Sequence, residues 1–283
     1  MSKVFRKFCL IFVLAYVICT MFSQAQYFEG VEVSAAALNE PIIVNHLNTR
    51  LTDIPTEWIN AAKSSLKIAY GHTSHGSQLI TGMEVIRNRI SSLYSFNNGG
   101  SNGALDLRDC PFSGASDLGN PNWTAWASAT RTYLSGHPEV NVIIWAWCGQ
   151  VSSSSEADIN TYLDLMSTLE RDFPNVKFVY MTGHTDGTGL TGTLHLRNNM
   201  MREYCQRNNK ILFDFEDIES YDPDGNYFGD KNVNDECYYD SDGNGSRDSN
   251  WAHNWQNSHV EGRDWYQCSP AHTAALNGNL KGY

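Results

Sequence analysis

Residues 67–79 read KIAYGHTSHGSQL, and the way this stretch breaks decides the fold. Residues 67–70 suit a short buried strand. Leu79, Ile80, Met83, Ile86 and Ile90 then recur at helical spacing, which predicts a helix over 77–94 capped by Ser77. Between the two lies a turn of His72, Thr73, Ser74, His75 and Gly76. A strand-to-helix turn exposes its side chains and leaves N–H groups unpaired at the helix start, where a developing oxyanion can be held.

The same alternation continues outward. Residues 97–102 (NNGGSN) and the stretch holding Asp106, Asp109 and Asp117 read as loops, and Asn120-Pro121 introduces a helix over 123–134. Residues 140–148 (VNVIIWAWC) form a nearly continuous apolar run, as a central strand buried on both faces requires. Residues 156–173 are amphipathic, with Ser155 as a cap. A strand at 177–182, a helix at 194–207 and a strand at 211–215 follow. Alternating strands and helices predict an α/β protein with a parallel sheet flanked by helices in three layers, whose ligand sits beyond the carboxyl ends of the strands. Three predicted strand ends carry polar residues suited to chemistry: the 71–77 turn, Cys148-Gly149-Gln150, and Gly183-His184-Thr185-Asp186.

Residues 219–266 break the pattern. They are rich in Asp, Asn, Gly and Tyr and read as a loop-rich insertion before a last helix. Within it, Asp240, Asp242, Asn244 and Asp248 follow the first half of an EF-hand-like loop, which predicts a structural calcium; the twelfth position is Trp251 rather than an acid. Residues 222–230 repeat the spacing but read better as a solvated loop. The aromatic residues of the insertion, among them Tyr221, Tyr227, Tyr238 and Tyr239, suit contact with sugar rings.

At the other end, Lys3, Arg6 and Lys7 precede an apolar stretch over 10–21 and a small-x-small site at Ser23-Gln24-Ala25. These features predict a signal peptide over residues 1–25, with 26–283 as one secreted or periplasmic domain. The chain carries 31 acidic against 20 basic residues, and three of the basic ones lie in the leader. That balance argues against nucleic acid or an anionic membrane as partner and accords with a neutral polysaccharide or a small ester met by a monomer. Export permits disulfides, and Cys237–Cys268 is the favoured pairing; Cys148 reads as a small buried hydrophobe.

A serine hydrolase needs a nucleophile, a base and oxyanion donors. Ser74 is the candidate nucleophile and His272 the candidate base, while His72 and His75 are placed to orient substrate. His184 and Asp186 complete the polar set. The four histidines also permit a metal site, although none shows the HxH or HExxH spacing that usually marks zinc.

With these residues in view, the chain resembles the SGNH (GDSL-like) hydrolase superfamily, in particular divergent members whose first block is His/Gln-Ser-x-Gly. The resemblance puts Ser74 at the nucleophile, Gly149 and Gln150 near the third block as oxyanion donors, and Gly119 at the second. It departs at the last block, where Ser269 stands in place of the Asp three residues before His272. The resemblance implies an SGNH/flavodoxin-like fold and ester hydrolysis, often removal of acyl groups from polysaccharides. Two alternatives accompany it: a glycan-cleaving hydrolase or lyase using Asp186 and a rim histidine, and a non-catalytic carbohydrate-binding module.

Overall fold

The computed structural model describes residues 40–267. The leader, Cys268, Ser269, His272 and the expected last helix lie outside them. The frame is a seven-stranded sheet in which every neighbouring pair is parallel. Its strands are β1 (Ile42–Val44), β2 (Lys67–Gly71), β3 (Phe96–Asn97), β4 (Leu105–Asp109), β5 (Val142–Trp145), β6 (Lys177–Met181) and β7 (Ile211–Phe213), in the order β1-β7-β6-β5-β2-β4-β3. From β2 the chain first builds toward β4 and β3, then reverses to add β5, β6 and β7 on the other side. The topological switch therefore falls between β2 and β5, where open α/β sheets bind ligands.

Alternation along the strands divides the core in two. One face (Ile68, Tyr70, Leu105, Leu107, Val142, Ile144, Val179, Phe213) packs on α1 (Thr56–Ser65), α2 (Ser77–Val85), α6 (Phe215–Glu219) and α7 (Trp251–Asn257). The other (Ala69, Ile143, Trp145, Phe178, Tyr180, Leu212) packs on α3 (Ala125–Gly136), α4 (Glu156–Asp172) and α5 (Thr193–Arg207). The result is the three-layer architecture expected from the sequence. Ser155 caps α4 as anticipated, its hydroxyl accepting from the Asp158 N–H while the Asp158 carboxylate accepts from the Ser155 N–H in a reciprocal box.

Three differences from the expectation have physical reasons. The loop expected around Asp106 is strand β4. Leu105 and Leu107 face the core, while Arg108 on the opposite face binds Asp106 at 3.1 and 3.2 Å and Glu139 at 2.8 Å, so buried charges disguise a strand. Strand β5 stops at Trp145 rather than 148, because beyond it the chain turns toward the site and Leu118 N–H donates to Ala146 O at 3.0 Å. The helix from Ser77 is α-helical only to Val85 and continues as a π turn over Ile86–Ile90.

The segment after α6 is mostly turns. It holds a two-stranded antiparallel ribbon of β8 (Tyr238–Tyr239) and β9 (Ser249–Asn250), followed by α7. Trp251 and Trp255 of this segment are buried in the core, leaving Tyr227 as its exposed large aromatic ring. Among the described residues no helix is long and apolar enough to cross a membrane.

Candidate active site at the carboxyl ends of the sheet

The turn after β2 is shaped by close packing. A Cβ on Gly71 would stand 2.3 Å from the Trp145 ring, and one on Gly76 would stand 2.4 Å from His72 Cβ and 2.7 Å from the Tyr70 hydroxyl. Tyr70 Oη donates to Gly76 O at 3.0 Å and closes the turn. Ser74 opens a short 3₁₀ helix that leads into α2. It is half-buried, and its Oγ has no hydrogen-bond partner among the described residues.

Beside this turn the fold gathers side chains from the ends of β4, β5 and β6 and from the loop before β8. His72 is buried and lies 2.6 Å from Asp109, with Cys110 beside it. Burial disfavours the imidazolium, but the hydrogen bond to Asp109 and the neighbouring Cys110 outweigh it and raise His72 to about 9. Asp117, nearly inaccessible, accepts from Thr73 Oγ1 at 2.5 Å and from Gln150 Nε2 at 2.9 Å. Burial raises its pKa against these two bonds. Asp117 thus ties the β2 turn to the β5 turn. The other end of the Gln150 amide accepts from the Cys148 N–H at 2.9 Å, so both ends of that side chain brace the site. Gly119, at φ +96°, lets the chain pass over Gln150; a Cβ there would sit 3.0 Å from Gln150 Cγ.

His75 is buried between three groups. Its Nε2 is 2.8 Å from Asp235 Oδ2, its Nδ1 is 3.6 Å from Cys148 Sγ, and its ring stacks on His184 with centroids 3.4 Å apart. Cys148 is half-buried beside the histidine, which replaces its reading as an inert core residue. His184 Nδ1 lies 2.8 Å from Thr185 O, and Thr185 in turn donates its N–H and hydroxyl to Glu219 Oε2 at 2.8 and 3.0 Å. The preceding Gly183 is locked by Asn198, whose amide also reaches Glu216. Arg202 bridges Glu216 and Asp214 below it.

Asp186 lies at the edge. Its Oδ1 accepts from the Thr188 N–H and hydroxyl at 2.9 and 2.6 Å, and its backbone pairs with Asn234. An open, polar groove of about 440 Å³ lined by Asn234, Glu236, Tyr238 and Arg247 flanks Asp235. Gly149 is exposed, with open space around its Cα. In the 240–248 loop the carboxylates turn onto the loop itself. Asp240 accepts from the N–H groups of Gly243, Asn244 and Gly245, Asp242 from Asn244, and Asp248 from Ser241.

The sequence reading brought Ser74, His72, His75, Gly149, Gln150 and His184 to one edge of the sheet, and the structure places them there. It missed Asp117, Asp235 and Glu219. Glu219 ends the five-residue helix α6 and Asp235 lies in the irregular segment after it, both too short of periodicity to carry a signal. No family model matches the chain, and no curated protein matches it either.

Proposed function

We propose that the protein is a secreted hydrolase that removes acyl groups from a polysaccharide or glycoside, with Ser74 as the nucleophile. The observation that carries this reading is the position of Ser74. An unpartnered hydroxyl stands beyond the end of β2, at a helical start, beside the topological switch point. The reading draws further on the SGNH-like block around Ser74 and on the polar groove beside Asp235.

In this reaction Ser74 Oγ attacks the ester carbonyl and its proton passes to His272, which lies outside the described residues. The N–H groups of Ser74 and Gly149 receive the oxyanion. Collapse of the tetrahedral intermediate expels the alcohol, which takes the proton back from the imidazole. Water then hydrolyses the acyl-serine by the same route. Gln150 and Asp117 hold the two turns in register, and Asp186 supports the Asn234 side of the groove.

A fluorophosphonate probe on the purified mature protein tests the reading. Labelling of the native chain that disappears in Ser74→Ala and after denaturation supports it. A folded chain that neither labels nor releases acetate from acetylated polysaccharides refutes it.

A further inference from the structure

We infer that His75, His184 and Asp235 form a binding site for a divalent cation of the zinc type, a role distinct from the Ser74 chemistry. The three come from the β2 turn, the end of β6 and the loop before β8, and one ligand atom from each lies within 4.8 Å of the others.

His184 carries the argument. A carbonyl oxygen only accepts, so the 2.8 Å contact with Thr185 O puts the proton on Nδ1 and leaves Nε2 with a bare lone pair. That Nε2 is buried without a hydrogen-bond partner, on a residue only 6% exposed. A buried acceptor left without a donor is costly, and a cation satisfies it. Metal-bound histidines commonly donate their other N–H to a backbone carbonyl that is itself held in place. Here Thr185 O is that carbonyl, and Glu219 fixes Thr185 by two hydrogen bonds.

His75 supplies the second nitrogen. Its ring lies nearly parallel to His184, at 9°, with centroids 3.4 Å apart, so the two imidazoles stand face to face. Its Nε2 already faces the Asp235 carboxylate, and its Nδ1 faces the Cys148 sulfur. Bonds of about 2.0–2.2 Å place tetrahedral donors roughly 3.4 Å apart, so binding requires Asp235 to draw back from its 2.8 Å contact with His75 and the two parallel rings to rotate until their lone pairs converge. Two nitrogens and one carboxylate favour zinc over calcium or magnesium, which select oxygen, and three protein ligands leave a fourth position open. The other His-Asp-Cys group of the site holds no buried nitrogen without a partner, as His184 does, since both ring nitrogens of its one histidine, His72, are engaged, by Thr73 O and Asp109.

The test is titration of the chelator-treated mature protein with Co²⁺ and Zn²⁺, followed by the visible d–d bands of Co²⁺ and by metal analysis. One equivalent of four-coordinate Co²⁺, displaced by Zn²⁺, is expected. Binding should weaken by more than about a hundredfold in His184→Ala and about tenfold in Asp235→Asn, and persist in Ser74→Ala, Cys110→Ser and Asp240→Asn. A folded wild-type chain that takes up no Co²⁺ overturns the proposal. So does uptake unchanged in His184→Ala, or uptake lost in Cys110→Ser or Asp240→Asn instead. Asp235 is the most accessible of the three side chains, so Asp235→Asn carries the comparison if His184→Ala does not fold. Fluorophosphonate labelling of the same samples reports on Ser74 separately, so failure of one reading is distinguishable from failure of the other.

Discussion

Glu219 shows how much of this site depends on a residue buried behind it. Its carboxylate is 1% exposed and accepts both donors of Thr185, whose carbonyl orients the His184 ring. Replacing Glu219 by Ala strands a buried N–H and a hydroxyl, which costs about 1–3 kcal/mol. A lower denaturation midpoint with an unchanged slope would report it, whereas a midpoint within error of wild type would count against the relay. Ser74, His75 and His184 were legible in the sequence because each sits directly after an apolar strand. Glu219 was not, since an acid beside a run of other acids (EDIES) looks solvated until the fold brings Thr185 over it.

Among the elements, the junction of β2 and β5 is the most exacting. The Thr73–Asp117–Gln150 chain joins the two turns through one buried carboxylate. Asp117→Ala removes both acceptors and should destabilise the fold by about 1–3 kcal/mol. Asp117→Asn should cost less, because its remaining oxygen can serve Gln150 while its NH₂ donates to the Thr73 hydroxyl. Equal losses for the two variants, measured by chemical denaturation, would show that the carboxylate is not a shared acceptor. Gly71→Ala forces a methyl to within 2.3 Å of the Trp145 ring and should cost about 1–3 kcal/mol through overpacking, read as a drop in melting temperature. Strands β2, β5, β6 and β7 were readable from their apolar runs. Strand β4 was hidden because Asp106 and Arg108 neutralise each other on its second face, and the leucine alternation beneath them spans only two residues.

For the molecule as a whole, pH acts through the pair at the sheet's edge. His72 stands at about 9 when folded, against 6.5 for a free imidazole. A folded pKa above the unfolded one gives stability that is complete below pH 6.5 and lost as pH rises through 9. The melting temperature should therefore fall between pH 7 and 9.5. In Asp109→Asn the favourable partner is gone while the burial remains, so the fall over that window should flatten; an identical slope in both proteins would refute the assignment. The three-layer architecture was readable in advance because alternating periodicities leave few topologies. The place of β1 was not, because three residues, Ile42–Val44, carry too short a pattern to reveal a strand whose partner begins 169 residues later, at Ile211.

That pairing of Ile42 with Ile211 also sets an order of events. The inner strands β2, β4 and β5 are complete by Trp145, while the first strand must wait until β7, at Ile211–Phe213, is available. A nascent chain can therefore build its middle, but β1 stays an unclaimed edge until β7 arrives. Pairing of β1 with β7 is thus a natural late step of folding, and a chain cut short before Phe213 would present a sticky border to its neighbours in place of a finished sheet.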